Sequence, residues 1–321
     1  MSASLYEKTL AVEAADRADI VVLTAENRAH IRSLPELLGD RFVDVGIAEQ
    51  TLVGAAAGLA LRGRTPVVHA LAPFLTMRAF EFIRTDVGLP GLPVKFVGFI
   101  PGLLSEANGP THQALEDVAL MRTIPGMTVL CPADEQETSE ALVAALRSPG
   151  PCYLRYNPRP ARVPHREPFL IGRVEVLRRG SDVALVAYGP LVAEAYEAAL
   201  LLAAEGISAR VLNLRTVNPI DERALLAAAQ ETRLLVTVED HFARGGLRSA
   251  LAELLVERRI AADVLTIAFE ERWFRPLPLG ALLEAEGLTP EAIASRARSR
   301  LAHRTEPGRT ASSREATASS H

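Results

Sequence analysis

Short apolar runs alternate with longer helical patterns along almost the whole of this 321-residue chain, and no other feature limits its fold as much. "DIVVLTA", "RFVDVG", "TPVVHAL", "PVKFVGF", "MTVLCPA" and "CYLRY" read as strands, most of them apolar on both faces. Such runs suit a parallel sheet covered by helices on both sides, where neither face of a strand meets water. Helical patterns lie between them at 4–17, 48–62, 74–88, 114–123 and 135–147. The repeated strand–helix order predicts an α/β domain over residues 1–160. "YNPRPARVPHREP" then holds four prolines, cannot form a regular element and reads as an interdomain linker. The alternation restarts with "DVALVAYG", a helix at 191–205, "ARVLNLR", a helix at 221–231, "RLLVTVED", a helix at 246–259 and "ADVLTIAF". The expectation is an α/β chain of two doubly wound, mostly parallel-sheet domains, residues 1–160 and a smaller one at 165–302. Residues 303–321, "HRTEPGRTASSREATASSH", hold no apolar side chain beyond alanine and read as a disordered tail.

Charge and cysteine content narrow the partners. A formal net charge of −4, with basic residues scattered rather than striped, gives no reason to expect nucleic acid or an anionic membrane. The two cysteines, Cys131 and Cys152, stand in apolar segments without a CxxC or Cys–His neighbour. They read as small core residues of a reduced compartment, and no metal ligand set is expected in this chain. The N-terminus has no apolar leader and no uncharged run nears the length of a membrane helix, so a cytoplasmic protein is the default expectation.

Three stretches stand apart from the alternation. "VDVGIAEQTLVGAAAGLALRG", residues 43–63, places a lone carboxylate, Glu49, at the start of a nearly uncharged helix. The helix dipole alone would favour an acid there. Burial, however, disfavours an unpaired ionised carboxylate, and a carboxyl kept protonated is a hydrogen-bond donor that enzymes use. "IPGLLSEANGPTHQ", residues 100–113, is a long loop beyond a strand, where open parallel sheets bind ligands. "VEDHFARGGLRSA", residues 238–250, sets a double glycine between strand and helix. It lacks the spacing of a phosphate-binding loop, so a tight turn is expected, with His241 at the surface or between domains.

"RFVDVGIAEQ", "GLPVKFVGF", "GPTHQALEDVALMRTIPGMTVLCPADEQET", "GPCYLRYNPRP" and "LRTVNPID … VTVEDH … GG" together resemble the transketolase family of thiamine diphosphate enzymes. The motifs occur in order and span almost the whole chain. The resemblance implies that residues 1–160 hold the aminopyrimidine ring of thiamine diphosphate. It implies that residues 165–302 form the family's C-terminal domain, which braces a dimer and is not expected to touch the chemistry. The family binds the diphosphate and Mg2+ through another module marked by Gly-Asp-Gly, a tripeptide absent here. The implied assembly is a split transketolase, with magnesium ligands on a separate N-terminal subunit and an active site shared in an α2β2 heterotetramer.

The resemblance also assigns roles to residues. Glu49 stands where the family's glutamate donates to the pyrimidine N1′, which allows the 4′-imino group to act as internal base. Phe74, Met77 and Phe80 in "PFLTMRAFEF" recur at i, i+3 and i+6 on one helix face. By themselves they read as a core stripe; in the family the equivalent positions pack on the pyrimidine. His112 in "GPTHQ" matches a histidine that reaches the substrate, and histidine is the side chain that titrates nearest neutrality.

Substrate positions depart from sugar-phosphate transketolases. Asn108 replaces an aspartate that recognises a donor hydroxyl, Ile100 a phosphate-gripping histidine, and Glu26 a phosphate-contacting serine. A carboxylate at position 26 would repel a dianionic phosphate. Arg155 is retained and could pair with an anionic group; a structural arginine near the linker is an equal reading. Two-carbon ketol transfer from a ketose to an aldehyde is the leading expectation. The alternatives are decarboxylating carboligation, as in deoxyxylulose phosphate synthases or 2-oxo acid dehydrogenase β subunits, and a non-catalytic stabilising subunit.

Overall fold

The computed structural model describes residues 3–303, in which twelve strands form two sheets. Before the linker come β1 (Ile20–Thr24), β2 (Phe42–Asp44), β3 (Thr65–Leu71), β4 (Lys95–Phe99), β5 (Thr128–Leu130) and β6 (Cys152–Tyr156). After it come β7 (Glu175–Arg178), β8 (Val183–Ala187), β9 (Ala209–Asn213), β10 (Thr216–Asn218), β11 (Leu234–Phe242) and β12 (Val264–Phe269). The first sheet runs in the order β10-β5-β6-β4-β3-β1-β2 and the second β12-β11-β8-β9-β7. All pairings are parallel except β10 with β5 and β7 with β9. Two mixed, mostly parallel sheets with helices on their faces are the expected α/β class.

The physical basis is the one read from the sequence. β1, β4, β6 and β8 are buried at every position, as strands covered on both faces must be. Helices Leu5–Asp16, Glu49–Leu61, Glu135–Arg147, Leu191–Ala204, Glu222–Glu231 and Leu247–Glu257 lie within a few residues of their predicted spans. Ser4, Asp134 and Asp221 cap three of them by accepting from the backbone N–H three residues on. Cys131 and Cys152 are fully buried core residues with free thiols. Among the described residues no helix is long and apolar enough to cross a membrane.

Three differences matter for function. Residues 74–88 are helical as expected, but Phe74–Arg78 and Ile83–Gly88 are π-helical, flanking a short α-turn at Phe80–Phe82. β10 leaves the second half of the chain to pair antiparallel with β5 in the first sheet. One apolar cluster accordingly runs from Leu52, Val68 and Phe96 through Met121 to Leu235 and Leu251, so the two sheets share a core. Helices Leu279–Ala285 and Pro290–His303 complete the second layer. The tail expected at 303–321 lies, beyond His303, outside the described residues.

Candidate active site

Three chain segments leave the carboxyl ends of β2, β3 and β4 and meet. Helix Glu49–Leu61 begins five residues after β2, the π-turn Phe74–Arg78 follows β3, and loop 100–113 follows β4. In a parallel sheet this edge is where ligands bind. Glu49 is only 3% exposed in the first turn of its helix, and Ala48 before it supplies no side-chain cap.

Glu49 is not unpaired, contrary to the lone acid read from the sequence. Arg78 donates from one guanidinium nitrogen to Glu49 Oε2 at 2.9 Å, while keeping much of its own side chain in solvent. The Arg78 guanidinium carbon also lies 4.3 Å from the centre of the Phe74 ring. Phe74 in turn meets His112 edge to face, with ring centres 5.2 Å apart. Thr111 Oγ1 lies 2.9 Å from His112 Nδ1, which leaves Nε2 as the ring nitrogen open to a ligand. Acid, guanidinium, phenyl and imidazole thus form one continuous chain. Arg78 was not singled out in the sequence, although an arginine inside an otherwise apolar stretch, "PFLTMRAF", was the available signal.

The other expected site residues are distributed differently. Met77 is 39% exposed and Phe80 packs half-buried on the shared core, so Phe74, Met77 and Phe80 do not present one common face. The wider π-turn between them breaks the α-helical spacing on which that expectation rested. Asn108 is exposed at the end of a 3₁₀ segment, its amide 3.4 Å from Ser105 Oγ. Glu26 and Ile100, at φ 58° and 47°, both hold left-handed backbone conformations beside this edge.

Arg155 was open to two readings from the sequence, an anion contact or a structural arginine. It is 2% exposed and donates to Asp117 Oδ2 at 2.9 Å and Asp240 Oδ1 at 2.7 Å. Both carboxylates saturate its fork, so its geometry supports the structural reading rather than an anion contact. His241 is the interdomain residue of its two expected placements. Its Nε2 accepts from the Ala119 backbone N–H at 3.3 Å, and Nδ1 lies 2.6 Å from Phe242 O, which fixes the tautomer.

The double glycine is a tight turn and not a phosphate cradle. Glu239 accepts from Leu247 N at 2.6 Å and Arg248 N at 2.9 Å, filling the helix N-terminus that a phosphate would use. Burial pushes the Glu239 carboxyl up to about 8. Glu137, His165 and Glu175 form a group with metal-like spacing, but Arg215 stands among them at 2.5 Å from Glu137 and 2.8 Å from Glu175. A cation there would face a guanidinium already in place.

Known proteins resemble this chain in sequence and fold. Residues 2–162 match the transketolase pyrimidine binding domain and residues 172–293 the transketolase C-terminal domain. The chain is 42% identical over 253 residues to the 6-deoxy-6-sulfo-D-fructose transketolase subunit SqwH of Clostridium sp. (strain MSTE9), covering 77% of this chain and 79% of that one. It is 41% identical over 302 residues to the 1-deoxy-D-xylulose-5-phosphate synthase of Thermomicrobium roseum, but spans 47% of that enzyme's length. Among solved structures, a split gene transketolase described as an inactive beta4 tetramer superposes with a TM-score of 0.81 at 37% identity, covering 93% of this chain and 97% of that one. Family membership implies dependence on thiamine diphosphate. Two matched domains in family order, on two sheets that share a core, make this chain a member of the transketolase family.

Proposed function

We propose that this chain is the pyrimidine-binding and C-terminal subunit of a split transketolase that moves a two-carbon ketol unit from a ketose to an aldehyde. One observation carries the reading: the chain aligns with nearly the full length of a split-gene transketolase chain, with a buried acid and a histidine at the shared edge. The partner is an N-terminal subunit bearing the diphosphate and Mg2+ module, in an α2β2 complex. That the matching split-gene assembly is an inactive beta4 tetramer supports a need for such a partner.

The residues present fit half of the cofactor. A buried carboxyl beside a half-buried aromatic ring suits an aminopyrimidine, whereas nothing at this edge resembles the Gly-Asp-Gly ligand set. Bound thiamine diphosphate supplies a stabilised carbanion. The Glu49 carboxyl would donate to the pyrimidine ring nitrogen, a role the Arg78 guanidinium at Oε2 opposes until it moves away, because its charge favours the ionised acid. The exposure of the Arg78 side chain lets it swing toward solvent or toward a partner. Phe74 walls the ring, and His112 gives or takes a proton through Nε2 at a substrate hydroxyl.

Donor choice follows from charge. Glu26 is exposed at this edge, and its carboxylate repels a singly charged sulfonate less than a doubly charged phosphate. The named activity of the Clostridium relative on a 6-sulfonated ketose supports including such a donor. A second reading, carboligation from pyruvate with loss of CO₂, is favoured by the likeness to deoxyxylulose phosphate synthases. The test is a co-purified pair of subunits, assayed for aldehyde release from phosphorylated and 6-sulfonated ketoses and for ¹⁴CO₂ from labelled pyruvate. Ketose cleavage supports the proposal; efficient pyruvate decarboxylation with no ketose cleavage replaces it with the carboligase.

A further inference from the structure

We propose that Asp240 is a positioning residue: with Arg155 it fastens both ends of the loop spanning residues 100–117 and so fixes His112 against Phe74. The family resemblance keeps the second half of the chain away from the chemistry, yet the end of β11 docks directly on the segment that bears His112.

The contacts run from one end of the loop to the other. At its start, the Leu103 backbone hydrogen-bonds the Asp240 carboxylate. Gly102, at φ +57°, approaches so closely that a Cβ would collide with the same carboxylate. Gly102 N also donates to Ala114 O at 3.0 Å, two residues beyond His112. At its end, Phe242 N donates to Leu115 O at 3.1 Å, and Arg155 links Asp240 to Asp117. Tyr153 adds a hydroxyl donated to Asp117 Oδ2 at 2.7 Å. The tip is held as well, since a Cβ on Gly109 would lie 2.7 Å from Pro276 Cγ.

Arg155 and Asp240 are fully enclosed, and a guanidinium is a rigid fork that bonds two carboxylates in fixed directions. Their pairing therefore transmits the position of β11 to both loop ends without slack. Removing the Asp240 carboxylate leaves one edge of the fork and the Leu103 N–H without acceptors, and the loop must shift to satisfy them. Between the two anchored ends His112 is half-buried and makes its ring contact with Phe74. A displacement there of about 1 Å is enough to cost up to about 10²-fold in a reaction that uses the imidazole.

The kinetic half of the test rests on the function proposed above; the spectroscopic half does not. In ¹³C-histidine-labelled full chain, Asp240→Asn and Asp240→Ala should shift the His112 ring signals. Those of His69, enclosed by Tyr6 and Leu23, should remain in place. A folded variant with unmoved His112 signals overturns the inference. In the reconstituted complex, Asp240→Ala should lower kcat about 10-fold or more with KM changed less than about 3-fold. In a His112→Ala background the same substitution should cost less than about 2-fold, whereas equal losses in both backgrounds would mean an independent structural effect and overturn the inference. If Asp240→Ala does not fold, Asp240→Asn carries both measurements. An unmodified complex without ketose activity counts against the proposed function and leaves the spectroscopic result decisive.

Discussion

Replacing His165 by Gln removes one of the two cations from a buried network that joins the linker to both sheets. His165 Nε2 lies 2.6 Å from Asp134 Oδ2, and Nδ1 lies 2.8 Å from Glu175 and 3.3 Å from Glu137. Arg215 is the other cation, and Asn213 donates to Glu137 at 2.9 Å. Burial alone would lower the imidazole pKa, but the hydrogen bonds to Asp134 and Glu175 and the charge of Glu137 outweigh it and hold the proton up to about 10. Moving a pKa from 6.5 to about 10 corresponds to ~5 kcal/mol in favour of the folded, charged form. Glutamine keeps one hydrogen bond and Arg215 takes up part of the freed charge, so the expected loss is ~3 kcal/mol, at the low end for a broken buried pair. The folded pKa lies above the unfolded one, so this stabilisation is complete below pH about 6.5 and is lost as pH rises through about 10. Urea unfolding of the wild-type chain and His165→Gln, followed by far-UV circular dichroism at pH 6, 8 and 10, measures the difference. It should be largest at pH 6 and smallest at pH 10. A gap under ~1 kcal/mol at pH 6, or one that stays constant with pH, refutes the assignment of the charge to His165.

Other outcomes follow from the same geometry. In the reconstituted complex, Glu49→Gln should reduce turnover and cofactor C2 hydrogen exchange by about 10²–10⁴-fold, and survival of both would return Glu49 to a helix-dipole role. Arg78→Ala should leave thiamine diphosphate affinity unchanged or tighter in calorimetry, because it frees Glu49 Oε2; a loss beyond about tenfold would make Arg78 a cofactor contact instead. Gly102→Ala should lower stability by ~2 kcal/mol or more in denaturant titration, since the position combines φ +57° with a collision against Asp240.

Much of the architecture was legible because its cause is local. Strands apolar on both faces can exist only inside a covered sheet, so "DIVVLTA" and "CYLRY" announce their own environment. The helix at Glu135–Arg147 matches its predicted span residue for residue, because Asp134 caps it and the apolar face repeats with helical period. Family motifs pointed to Glu49 and His112 as candidates, since each is embedded in a distinctive run of neighbours, and the fold sets both beside Arg78 and Phe74 at one sheet edge.

Contacts between residues distant in sequence were not legible, and they decide the site. Arg78 is 29 residues from Glu49, and nothing in "PFLTMRAF" marks its guanidinium as the partner of that acid. Phe74, Met77 and Phe80 look equivalent by spacing, yet a π-turn, which no simple period reveals, turns Met77 to solvent and Phe80 to the core. Arg155 reads equally well as an anion contact or a brace until Asp240, 85 residues later, closes on it. β10 is three residues long, too short for a pattern of its own, and becomes a strand only because the edge of β5 lies beside it. The sequence alone determined which segments are buried, since hydrophobic periodicity is a property of neighbours along the chain. Only the tertiary structure decided which charges meet, because an ion pair or a clamp depends on the distance between side chains that the folded sheets bring together.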